Sequence, residues 1–145
     1  KTLFPYTTLF RSFFHVVIKH ERKNHIRHVV TIFGSAVFAW VIAHVLKNAV
    51  AHPRPDALHA LIVPDDVYSF PSGHATFMFA LAFCMYGFDK RAGKVLFVFA
   101  VITSVARVFA GVHFWYDIIG GMVLGAGVAS IVYFLTKATK KYIKQ

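Results

Sequence analysis

Four apolar runs constrain this chain more than any other feature: Val29 to Leu46, Ala75 to Phe88, Val95 to Val112 and Ile118 to Thr136 each hold few or no charges. A helix that crosses a bilayer needs about 20 predominantly apolar residues, with roughly 17 as the lower limit. The first and fourth runs meet that length outright. The second meets it only if its helix begins near Ser72, and the third only by accepting Arg107 near its end. With 57% hydrophobic residues in 145, the pattern predicts an all-α integral membrane bundle rather than a soluble domain.

The formal net charge is +10, a balance that would suit nucleic acid if it lay along one polar face. It does not; the cations sit in clusters between the apolar runs. Lys19, Arg22, Lys23 and Arg27 precede the first run, Lys90, Arg91 and Lys94 join the second to the third, and Lys137, Lys140, Lys141 and Lys144 follow the fourth. All three clusters fall on one side of a four-span bundle, which the positive-inside rule makes the cytoplasmic side. The loop from Pro53 to Ser69 is then exterior. Only Lys47, Arg54 and Arg107 lie against the bias, and they need another explanation. The one cysteine, Cys84, lies within an apolar run, so no disulfide framework and no cysteine metal site is available.

The amino terminus differs in character from the rest. Residues 2 to 12, TLFPYTTLFRS, resemble the in-frame translation of a sequencing adapter, and residues 1–12 are therefore read as a non-native leader outside the fold. Phe13 to Ile18, FFHVVI, reads as the tail of an earlier helix.

Three stretches on the exterior side carry the chemistry. KNAVAHPRP places Lys47 at the end of the first helix and Arg54 in a loop made extended by Pro53 and Pro55. Phe70-Pro71-Ser72-Gly73-His74 opens the second run; serine is a favoured N-cap, the first N–H groups of a helix lack intrahelical partners, and glycine permits close approach, so this turn suits an anion. In the third stretch Arg107 is followed by His113 and Asp117. A spacing of four puts histidine and carboxylate on one helical face, where the carboxylate can orient the imidazole. Phe114, Trp115 and Tyr116 beside them suit an interfacial aromatic belt.

Taken together, K-x6-R-P, then P-S-G-H, then R-x5-H-x3-D resembles the signature of the type 2 phosphatidic acid phosphatase superfamily, which also includes the vanadium haloperoxidases. The resemblance spans Lys47 to Asp117. It implies one membrane phosphatase domain over residues 13–145, amino-terminally truncated, with four spans present of six. It further implies His113 as nucleophile, Asp117 as its orienting carboxylate and His74 as the acid that protonates the leaving oxygen. Lys47, Arg54, Arg107, Ser72 and the N–H of Gly73 would bind the phosphoryl oxygens, with no metal and no cofactor. Family members usually have serine before the third-motif arginine; here Ala106 stands there, which removes one hydrogen bond near the phosphate.

The implied function is hydrolysis of a lipid phosphate or pyrophosphate, of the undecaprenyl pyrophosphate, phosphatidylglycerophosphate or phosphatidic acid class, at the outer or periplasmic face of the cell membrane. The alternatives are a catalytically silent lipid-phosphate-binding protein and a vanadate-dependent haloperoxidase. His44 is expected to be a packed or cavity-lining residue, and His15, His20, His25, His28, His52 and His59 are given no role. Gly121, Gly125 and Ala129, four apart, are expected to let the last helix approach a neighbour closely.

Overall fold

The computed structural model describes residues 22–55, 60–62, 64 and 66–142. The leader, the Phe13–Ile18 stretch, Asp56, His59 and Asp65 lie outside the described residues. Four helices follow one another: α1 (Arg22–Val50), α2 (Gly73–Phe88), α3 (Lys90–Phe109) and α4 (Trp115–Tyr142). No strand occurs among the described residues, only an isolated bridge between Pro53 and Tyr68 that closes the α1–α2 loop at its base.

Burial in this bundle follows side-chain size in reverse of a soluble protein. On α1 the buried face is Ile32, Ser35, Ala36, Ala39 and Ala43, at helical spacing, while Val30, Phe33, Val37, Phe38, Trp40 and Val45 are exposed. Small residues turned inward and large apolar ones turned outward describe a surface that meets lipid. The α4 stripe behaves as its spacing predicts. A Cβ on Gly121 would lie 2.7 Å from the carbonyl oxygen of Ser72, one on Gly125 would meet the carbonyl of Thr76, and Ala129 is fully buried. Helix α4 therefore rests directly on the backbone of α2.

Among the described residues, three segments are long and apolar enough to cross a membrane: Ile26–Val50, Lys90–Phe109 and Trp115–Thr139. The protein is a multi-pass membrane protein on that ground. The second predicted span is the exception, since α2 has 16 residues and at 1.5 Å per residue rises about 24 Å against a hydrocarbon core of about 30 Å. The third also differs from its apolar run. It begins at Lys90 and stops at Phe109, short of Val112, because Gly111 turns the chain with φ 73° after the Ala110 cap. Hydropathy could not see that stop; a glycine between alanine and valine reads as apolar.

Asp89 alone joins α2 to α3. Its N–H donates to the Met85 carbonyl, closing α2, and its carboxylate accepts from Arg91 N and Ala92 N at 2.8 and 3.0 Å, opening α3. Both helices thus leave one level at that end. At the other end α3, with 20 residues, outreaches α2 by about 6 Å. The start of α2 is recessed, and Arg107, the eighteenth residue of α3, stands roughly level with it.

Candidate active site

At the recessed end, the C-termini of α1 and α3 meet the N-termini of α2 and α4, and every motif residue belongs to one of these ends or to a connecting turn. Asp117 is the hub. It is fully buried, in the first turn of α4. Its Oδ2 accepts from the N–H of Phe114 at 2.8 Å, the back-bond that a third-position acid makes to a helix cap, and lies 3.3 Å from Nδ1 of His113. Its backbone carbonyl accepts from Ser72 N at 3.0 Å, tying the start of α4 to the start of α2.

The histidine–aspartate spacing of four was expected to work along a helical face. It works otherwise. His113 lies in the turn before α4, which begins only at Trp115, and the carboxylate reaches back to it past the helix end. The contact is the predicted one, made by capping geometry. With Nδ1–H donating to Asp117, the lone pair of Nε2 faces the site, where Nη1 of Arg54 stands 3.4 Å away. His113 is only 3% exposed. Burial pushes its pKa below the ordinary histidine value; the hydrogen bond to Asp117 opposes this, and the Arg54 cation adds to it. Burial thus favours the neutral imidazole, whose Nε2 faces Arg54.

Lys47 and Arg54 are brought together with His113. Arg54 donates from Nη1 to the carbonyl of Val112 at 2.5 Å, and from Nε to the carbonyl of Asp66 at 2.8 Å. Its Nη2 pairs with Oδ1 of the same Asp66. Lys47 is 5% exposed and donates to Asp66 Oδ2 at 2.6 Å and to the Tyr68 carbonyl at 3.2 Å. One carboxylate thus bridges both cations.

Ser72 is fully buried and caps α2, its hydroxyl accepting from Ala75 N at 3.5 Å. Gly73 follows it tightly packed: a Cβ there would sit 3.4 Å from Trp40 Nε1 and 3.5 Å from a ring carbon of His44. His74 is exposed in the first turn. Arg107 is half-buried at the end of α3, with a buried Nε that has no partner among the described residues. One turn earlier the buried Ser104 hydroxyl is likewise unpartnered. Ser104 is the side chain on α3 nearest in kind to the serine that Ala106 replaces, although it faces α2 from a different register.

Sequence reasoning gave no role to three residues found here. Asp66 was one of several loop acids, and nothing in its neighbours marked it, because its partners lie 12 and 19 residues away. Ser69 lies 3.4 Å from Oδ1 of Asp117 and donates to the Pro53 carbonyl at 2.9 Å. His52 contacts Ser69 Oγ at 3.1 Å through Nδ1 and the Tyr116 hydroxyl at 3.4 Å through Nε2. The buried carboxylate is thus supported from the loop side as well. A separate cleft at the opposite end, lined by Arg27, His28, Gly87, Phe88, Tyr133, Thr136 and Lys137, contains none of the motif residues.

Comparison with known proteins places the chain in a family. Residues 28–141 match the PAP2 superfamily. The chain is 30% identical over 112 residues to the undecaprenyl-diphosphatase BcrC of Bacillus subtilis (strain 168), covering 75% of this chain and 56% of that protein. It is 33% identical over 116 residues to phosphatidylglycerophosphatase B of the same strain, covering 70% and 52%. The crystal structure of a transmembrane PAP2 type phosphatidylglycerolphosphate phosphatase from Bacillus subtilis superposes with a TM-score of 0.58 at 25% identity, over 97% of this chain and 70% of that one. The chain spans a little over half the length of the curated relatives it matches.

Proposed function

Because this chain belongs to the PAP2 superfamily, we propose that its protein hydrolyses a lipid phosphate or pyrophosphate through a phosphohistidine on His113. The observation that carries the reading is the state of that histidine. It is buried, which lowers its pKa and favours the neutral ring, with Nδ1 engaged by a fully buried carboxylate and Nε2 directed at a guanidinium. A neutral imidazole anchored at one nitrogen is a nucleophile at the other.

In the proposed reaction Nε2 of His113 attacks phosphorus, and a P–N bond forms as the P–O bond to the lipid breaks. His74 gives its proton to the departing oxygen. Asp117 stabilises the positive imidazole ring that results, and water then gives a proton to His74 and attacks phosphorus as the P–N bond breaks, releasing phosphate and restoring both histidines. Negative charge on the phosphoryl oxygens is met by Lys47, Arg54 and Arg107 and by the start of α2 at Ser72 and Gly73, donors fixed in place before substrate arrives. Undecaprenyl pyrophosphate, phosphatidylglycerophosphate and phosphatidic acid are the candidate substrates, the first two in keeping with the names of the relatives. Because the chain spans a little over half the length of its relatives, the activity is proposed for the full-length protein.

The test is phosphate release by the purified full-length protein from a panel of these lipids. Turnover should persist in EDTA and be inhibited by vanadate, since three cationic side chains and a helix start do the work of metal ions. Activity lost with EDTA and restored by magnesium would refute the mechanism.

The basic clusters support an orientation with the site facing the exterior or periplasm. Arg27, Lys90, Arg91, Lys94 and Lys137 belong to the end away from His113. Single cysteines at Leu61 and Arg91, in a Cys84→Ser background, should differ in whole cells. An impermeant thiol reagent is expected to label position 61 and spare position 91; the reverse pattern would turn the site inward.

A further inference from the structure

We propose that His52 and Ser69 are positioning residues for the nucleophile: the Nδ1 proton of His52 satisfies the Pro53 carbonyl, which releases the Ser69 hydroxyl to hold the second oxygen of Asp117. The inference rests on the phosphatase reading of the site, in which Asp117 orients His113. It starts from an unequal division of partners on that carboxylate. Oδ2 has two donors, the N–H of Phe114 and Nδ1 of His113. Oδ1 has one neighbour among the described residues, the Ser69 hydroxyl at 3.4 Å. Asp117 and Ser69 are both fully buried, and a carboxylate oxygen removed from water needs a donor.

Ser69 has a single hydroxyl proton, and the Pro53 carbonyl competes with Asp117 for it. The carbonyl is nearer, at 2.9 Å, and by distance alone it takes the proton and leaves Oδ1 bare. His52 changes that balance. Its Nδ1 lies 2.9 Å from the same carbonyl and 3.1 Å from Ser69 Oγ. A proton on Nδ1 therefore serves the Pro53 carbonyl, and the hydroxyl turns to the charged acceptor, which forms the stronger bond. Each acceptor then has its own donor. With the ring proton on Nε2 instead, the hydroxyl would be drawn to the carbonyl or to Nδ1, away from Asp117.

The surroundings of His52 select the first tautomer. The Tyr116 hydroxyl stands 3.4 Å from Nε2 and can donate to it, which leaves the ring proton on Nδ1. The imidazole is set edge-on to the rings of Phe114 and Tyr116, at 5.9 and 5.3 Å. The backbone fixes the other side: Ser69 N donates to the His52 carbonyl at 2.8 Å, beside the Pro53–Tyr68 bridge. Without the Ser69 hydroxyl, the carboxylate is free to rotate and divide the Phe114 and His113 donors between its two oxygens. Nδ1 of His113 then loses its fixed partner, and with it the tautomer that leaves Nε2 open for attack.

The experiment is a double-mutant cycle on the full-length protein with phosphatidic acid as substrate. Ser69→Ala and His52→Leu should each lower kcat about 10- to 100-fold, the effect of losing a hydrogen bond to a charged group. KM should stay unchanged, because Lys47, Arg54 and Arg107 are untouched. The double variant should lose no more than Ser69→Ala alone, since both residues act through one bond. His52→Asn, whose amide can donate from the place of Nδ1, should recover most of the loss. Losses that multiply in the double variant, or a rise in KM in place of the fall in kcat, would overturn the proposal. A second measurement does not need turnover. Nuclear magnetic resonance of protein isotope-labelled at the histidine ring nitrogens reads the tautomer of His113, whose signals are those missing from His113→Ala. Wild-type and His52→Asn proteins should show the Nδ1–H form alone, and Ser69→Ala and His52→Leu a mixture of both forms. One form in all four, or a mixture already in the wild type, would sink the inference. A protein with the expected tautomers but no phosphate release in the wild type would instead count against the phosphatase reading alone.

Discussion

Replacing His113 by alanine is expected to abolish phosphate release from every substrate of the full-length protein, with a loss on the order of 10⁶-fold, the scale seen when a covalent catalyst loses its nucleophile. Leaving group should make no difference, because no phosphoenzyme forms with any of them. Asp117→Asn should cost less, about 10⁴-fold, since the nucleophile remains but its tautomer and developing charge are no longer held. The pH profile separates these roles. His113 must be neutral to attack, and its pKa is held below the usual histidine value by burial. The acid limb of kcat/KM should therefore lie below about pH 6.5, with activity falling as pH drops through it. Asp117 raises that pKa, so its neutral replacement should move the limb to still lower pH. A limb that stayed in place would show that another group is being titrated.

His74→Ala is expected to produce a selective defect. A general acid typically contributes about 10² to 10⁴-fold, in proportion to the leaving group's need for a proton. An alkoxide expelled from a lipid monophosphate needs it; nitrophenolate, or phosphate expelled from a pyrophosphate, needs it much less. Hydrolysis of phosphatidic acid should thus fall far more than hydrolysis of p-nitrophenyl phosphate. The exposed position of His74 in the first turn of α2 fits a group that meets the leaving side of the substrate. Equal losses on both substrates would reduce His74 to a phosphate ligand, and leaving-group sensitivity at His113 would exchange the two roles.

The parts of this architecture that sequence could predict are those that depend on near neighbours. Lys47 at a helix end, Ser72 as a cap and the contact between His113 and Asp117 all lie within a turn or two of the residues that define them. The apolar runs located the helices for the same reason. Where three-dimensional closure decides, the sequence was silent. Asp66 pairs with cations across a loop, and Ser69 reaches Asp117 across 48 residues. The stop of α3 at Phe109 was hidden by a single left-handed glycine inside an apolar run.

The 6 Å shortfall of α2 has a consequence for how a turnover ends. In the proposed reaction a centre at the start of α2, which α3 outreaches, would stand at the boundary of two phases, and the two products have opposite preferences. The lipid product, an alcohol from a monoester or a monophosphate from a pyrophosphate, would stay with the hydrocarbon and diffuse away in the plane of the bilayer; the phosphate ion would dissolve in water and depart along the normal. Once separated in this way, the pair meets again only at the product of two small concentrations. On that reading reversal would be suppressed by geometry as well as by the free energy of hydrolysis, the lipid product leaving before water frees the phosphate.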